Sequence, residues 1–163
     1  MFYREKAEIE NLTRTGVLFP YTRTISGEQY RGMGISAYAA AAYTRGDVVM
    51  ISFSASATAG QEYAVVAVAT KTVAAHMTVV ALDDVAAGKI GAFAMAGDCI
   101  ALVDGDSTDV TANDYLKAVN AAENFVIDHA TVPTAKACAI AIEANAATSA
   151  LKKVMLIPRE HTI

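Results

Sequence analysis

Two cysteines, Cys99 and Cys138, and three histidines, His76, His129 and His161, are the residues best suited to nucleophilic or metal chemistry. A catalytic thiol needs a base or cation nearby to lower its pKa, and a zinc site needs ligands clustered at short spacing. Neither pattern is present. Both cysteines lie in apolar alternating runs, Cys99-Ile100-Ala101-Leu102 and Ala137-Cys138-Ala139-Ile140, where a free thiol packs as a small core residue. The histidines are scattered, and there is no nucleophile elbow or Cys-x-x-Cys. Asp104, Asp106 and Asp109 place carboxylates at close spacing, but a calcium loop of the EF-hand type would need glycine and glutamate where this chain has Asp109 and Tyr115. A solvated loop is expected. Arg45-Gly46-Asp47 matches an integrin-binding tripeptide, yet Gly-Asp before a strand is ordinary turn chemistry. Gly32-Met33-Gly34 lacks the third glycine and the leading strand of a nucleotide loop, and reads as a bend. The expectation is a protein that is not an enzyme and uses no cofactor and no metal.

Composition sets the frame for whatever else the chain does. With 163 residues, 54% hydrophobic and 18% charged, it can bury one substantial core and is not a disordered chain. A formal charge of −4 argues against a nucleic-acid surface, which needs a concentrated basic face. Charge is unevenly placed. Residues 1–45 carry six Lys/Arg against four Glu, and residues 46–163 carry seven against thirteen acids, so a basic leader precedes an acidic body. Met1 to Glu8 has no apolar segment of the signal-peptide kind, and the uncharged run from Val48 to Gln61 is too short to span a bilayer. Synthesis in the cytosol, with no membrane partner, is expected.

The elements follow from breakers and alternation. Residues 1–33 have too many Thr, Pro and Gly and too few periodic apolar residues to close a core, but they mix aromatics with arginines. That mixture is typical of side chains that bury on another protein, so the segment is read as an extended N-terminal arm. Residues 34–163 are read as a mainly β body, a compact sandwich or barrel. Short β-rich runs are expected at Val48–Phe53, Tyr63–Ala69, Met77–Leu82, Ile90–Met95, Cys99–Val103, Tyr115–Val119, Phe125–Asp128, Ala137–Ile142 and Leu151–Ile157. Ser36 to Tyr43 is read as an extended connection.

One pattern occurs twice. Val79-Val80-Ala81-Leu82-Asp83-Asp84 crosses an alanine-rich bend into Lys89–Ala96, and Ala139-Ile140-Ala141-Ile142-Glu143-Ala144 does the same into Ser149–Leu156. Each has a forerunner, Gly46-Asp47-Val48 and Asn113-Asp114-Tyr115. With 34 alanines in the chain, identical Ala pairs carry little weight, and the conservative pairs Val80/Ile140, Leu82/Ile142 and Asp83/Glu143 carry more. A two-fold internal repeat is expected, with halves of about 46–103 and 113–158.

These residues resemble the capsid cement, or head decoration, proteins of tailed bacteriophages. The likeness rests on Gly46-Asp47-Val48-Val49-Met50-Ile51, on Val80 to Gly91 followed by Ala96-Gly97, and on Asn113 to Lys117 with Ile140 to Ala144 and Val154 to Ile157. It covers about residues 34–158. The resemblance implies a β-rich homotrimer bound to the major capsid protein on the outer surface of the virion, where it clamps neighbouring capsomers after head expansion. It implies no catalytic residue. The capsid contacts are expected in the arm, at Tyr3, Arg4, Leu18, Phe19, Tyr21, Arg23, Tyr30 and Arg31. Pro20 keeps that segment extended, and alternation puts Phe19, Tyr21 and Arg23 on one side. The alternatives are a carbohydrate- or host-surface-binding β module and a small enzyme. A sugar site usually needs a flat aromatic face, and the body has no Trp. A biotinyl or lipoyl carrier would need a lysine at the tip between its halves, and Asp104 to Asp109 has none.

Overall fold

A computed structural model describes residues 15–52, 65–67, 77–119, 122–129 and 137–157. They are mainly β, with no helix among them: β1 (Leu18–Ile25), β2 (Glu28–Ala39), β3 (Val48–Ser52), β4 (Val65–Ala67), β5 (Met77–Ala81), β6 (Ile90–Val103), β7 (Tyr115–Ala118), β8 (Phe125–His129), β9 (Ala139–Ala141) and β10 (Ala150–Leu156). Alternating apolar residues account for these strands. In β3 and β5, Val49 and Val79 face one way, while their neighbours Val48 and Val80 face the other.

The strand pairings close on themselves. β2, β4, β3, β5 and β6 form one five-stranded ring, and β6, β10, β9, β7 and β8 form another. Each is closed by a parallel contact, Tyr38↔Val65 in the first and Val103↔Phe125 in the second. Closure pairs the strands within each ring on both sides, while β1, paired only with β2, remains an edge strand. The first ring encloses Ile35, Ala37, Val49, Ile51, Val79, Ala81 and Phe93, with Tyr43 edge-on to Phe93 at 6.4 Å between ring centroids. A larger cluster fills the second ring with Cys99, Ala101, Val103, Leu116, Phe125, Ala139, Ala141, Val154 and Leu156, and runs on to Val48, Val80, Leu82, Ala92 and Ala94 on the outside of the first.

β6 belongs to both rings. Its register against β2 steps from Met33↔Ala96 to Gly34↔Ala94, which leaves Met95 as an extra residue, and Gly97 beyond it has φ 94°. A bulge followed by a left-handed glycine bends the strand, so one continuous element serves two cores. The runs Ile90–Met95 and Cys99–Val103 are therefore a single strand.

The N-terminal arm expected over residues 1–33 differs from the structure from residue 18 onward. β1 and the start of β2 form a hairpin with register Leu18↔Ile35 to Ile25↔Glu28, and β2 continues along β6. Ser26 (φ 53°) and Gly27 (φ 83°) make the two-residue turn, whose left-handed pair matches the strand twist. Few periodic apolar residues were needed, because Phe19 and Tyr21 cover a core supplied by the rest of the chain. Residues 1–14 lie outside the described residues.

Candidate interaction surface

The arm residues named from the sequence divide into three groups. Tyr3 and Arg4 lie outside the described residues. Tyr21 and Tyr30 are buried, at 2% and 5% exposure, and are not free to touch a partner. The Tyr21 hydroxyl donates to the Asp98 carbonyl at 2.7 Å, and burial pushes its pKa up, helped by Cys99 and Asp98. Tyr30 donates to Glu28 Oε2 at 3.1 Å and lies under the Lys153 ammonium, 5.0 Å from the ring centroid. Phe19 packs against the core, and Arg23 Nη2 pairs with Asp83 Oδ2 at 2.9 Å. Alternation does place Phe19, Tyr21 and Arg23 on one side, but that side faces the protein's own body. Gly32 and Gly34 make room for it, since a Cβ at either would meet the Tyr21 hydroxyl or the Phe19 ring.

Leu18 and Arg31 remain outside. Leu18 is 57% exposed, and Arg31 is exposed with Nη2 on Gln29 Oε1 at 2.6 Å. Met33, 41% exposed, lies opposite the exposed Pro20 on the same outer face of the hairpin. The sequence reading missed Met33, although its alternation with Arg31 in β2 was available as a signal.

The remaining large exposed apolar residues among those described are Ile142, Leu151 and Met155, at 37%, 44% and 37%. They share the outer face of the second ring. Met155 lies opposite Ile140, Ile140 opposite Tyr115, and Leu151 opposite Leu102, while the Ile142 N–H donates to the Lys153 carbonyl at 3.0 Å. Apolar side chains clustered on the outside of a small barrel make this face a candidate interaction surface.

The candidate nucleophiles lie in the core. Cys99 and Cys138 are buried and not joined in a disulfide, the Cys138 thiol donates to the Leu116 carbonyl at 3.8 Å, and burial pushes the Cys99 thiol pKa up, the opposite of activation. His76 and His161 lie outside the described residues. No metal-binding group of three or more His, Cys, Asp or Glu is found among the described residues. Asp104 Oδ1 accepts from the Asp106 N–H at 3.0 Å, a local turn bond. The Arg45-Gly46-Asp47 tripeptide is used internally: Asp47 is buried, and its carboxylate accepts from Thr44 N–H at 2.7 Å and Thr44 Oγ1 at 3.0 Å. A shallow open concavity beside it is lined by Thr44, Arg45, Asp83, Asp84 and Leu151, a mixed polar, charged and apolar set. Gly32-Met33-Gly34 lies within strand β2, at the register step against β6, and is not a connecting bend.

Comparison with protein-family models and with curated proteins finds no match.

Proposed function

We propose that this chain is a structural virion protein, a cement protein that binds the outside of a bacteriophage head as a homotrimer and clamps neighbouring major capsid proteins. The reading rests on the sequence resemblance over residues 34–158. The observation that best supports it is a closed β body whose thiols are buried and inert while its large exposed apolar residues gather in two patches. Such a body suits binding and load-bearing better than chemistry. Contact with the capsid falls to Tyr3 and Arg4 in the leader and to Leu18 and Arg31 on the outer hairpin, since Phe19, Tyr21, Arg23 and Tyr30 are engaged within the chain.

The body is further read as a tandem of two β modules. Supporting this, the turn before β3 and the turn before β7 make the same bonds. Asp47 and Asp114 each accept from a Thr N–H three residues earlier at 2.7 Å, and from that Thr hydroxyl at 3.0 Å. Gly46 N–H donates to Ala81 O at 2.9 Å and Asn113 N–H to Ala141 O at 2.8 Å, and both turn residues have positive φ. Tyr43 bridges Val85 as Val110 bridges Asn145.

Purified expanded heads lacking the protein, incubated with it and imaged by electron cryomicroscopy, test the function. Density at three-fold or quasi-three-fold positions between capsid proteins, with heads more resistant to heat, is the expected result. Heads that bind none of the protein at saturating concentration overturn it.

A further inference from the structure

The two modules differ in what covers them. On the first ring, Val48, Val80, Leu82, Ala92 and Ala94 form an outer face that is 0–6% exposed. They are joined by Val48↔Val80, Val80↔Ala94 and the bond from Leu82 N–H to Ala92 O at 3.0 Å. The chain covers that face itself, with Phe19 and Tyr21 from the inner side of the hairpin and with the second ring. On the second ring the corresponding residues are Tyr115, Ile140, Ile142, Lys153 and Met155. They are joined in the same way, by Tyr115↔Ile140, Ile140↔Met155 and the bond from Ile142 N–H to Lys153 O at 3.0 Å. None of these five is buried.

The second-ring face is thus the counterpart of a face the first ring keeps covered, and at Lys153 it already borders this chain's own hairpin, through Tyr30 and Glu28. The hairpin that seals the first face has an apolar outer side as well, in Leu18, Pro20 and Met33. Among the described residues, the five large exposed hydrophobic ones divide between these two patches, three on the second ring and two on the hairpin.

We propose that the second-ring face (Tyr115, Ile140, Ile142, Leu151, Met155) receives the outer hairpin face (Leu18, Pro20, Met33) of a second copy of this chain, head to tail. The hairpin would then be covered on both sides, by its own first ring and by the next copy's second ring. A head-to-tail contact uses two different patches, so it closes into a ring when the rotation between copies divides a full turn. The inference rests on the homo-oligomer part of the proposed function and not on capsid binding.

Two variants test it, Ile142→Glu/Met155→Glu and Leu18→Glu/Met33→Glu, with Gln in place of Glu as milder versions should either Glu variant unfold. All four positions are exposed, so circular dichroism and urea midpoints are expected to stay close to wild type. Light scattering is expected to show a closed oligomer for wild type and monomer for each variant. Mixing the two variants is expected to restore a one-to-one dimer, because each supplies the patch the other lacks. Either folded variant assembling like wild type, or a mixture that stays monomeric, overturns the head-to-tail contact. So does a monomeric wild type, even one that decorates heads as single copies. Wild type that assembles this way but never binds heads overturns the capsid reading alone.

Discussion

Asp47 and Asp114 show how one side chain holds a turn. Each is nearly buried, at 4% and 5% exposure, and satisfies both the N–H and the hydroxyl of the Thr three residues before it. Replacing either by alanine removes two hydrogen bonds to a carboxylate from a partly buried turn, and is expected to cost about 1–3 kcal/mol. Urea midpoints of Asp47→Ala and Asp114→Ala measure this, and a loss below a few tenths of a kcal/mol at both sites would show that the backbone holds the turns alone. A second residue-scale expectation concerns alkaline pH. Tyr21 and Cys99 have folded pKa values raised above their ordinary 10.0 and 9.0, chiefly by burial, so the folded state holds protons that the unfolded chain releases. Their contribution is intact below pH 9 and falls as pH rises beyond 9 and then 10, by up to about 1.4 kcal/mol per pH unit for each group. Urea unfolding between pH 8 and 11 is expected to show that decline, and Tyr21→Phe with Cys99→Ala is expected to flatten it.

At the scale of elements, the hairpin decides the most. It carries Tyr21 and Phe19 against the core, Arg23 against Asp83, and Tyr30 beneath Lys153, which also pairs with Glu28 at 3.7 Å. The ion pairs are partly exposed and contribute little, and the buried aromatics account for most of the stabilisation. Removing residues 2–33 takes these away together with half of β2. That truncation is expected to yield a poorly soluble or unfolded product, and a truncated protein with an unchanged thermal midpoint would return the segment to the status of a detachable arm. Tyr21→Ala alone is expected to lower stability by about 3–5 kcal/mol, the range for large aromatic truncations in cores.

For the whole molecule, sharing β6 has a thermodynamic consequence. Neither ring can open without losing a wall of the other, and the larger apolar cluster runs from the second ring across to the outside of the first. Unfolding is therefore expected as one transition, with the calorimetric enthalpy equal to the van't Hoff enthalpy at a concentration where assembly is constant. Two resolved transitions would mean that the rings are independent domains, and that the bend at Met95 to Gly97 is a linker and not a shared beam.

Much of the local structure was legible in the residues themselves. Period-two alternation and Gly or Asp breakers mark β3, β5, β7, β9 and β10 within a few residues, because each strand records its two-faced environment in its own side chains. The burial of both cysteines was legible for the same reason. Three things were decided only by the tertiary structure. The hairpin needs little apolar content because the cluster it joins is built from residues far along the chain, Val48, Val80 and Ala94 among them, so no window around residues 18–33 records its burial. The direction in which Phe19, Tyr21 and Arg23 point follows from where the body sits, since alternation specifies a shared side but not which side is inward. Pairing is a contact between distant segments, so the continuity of β6 through Gly97 and the closure of two rings on it have no signature in any single stretch of sequence.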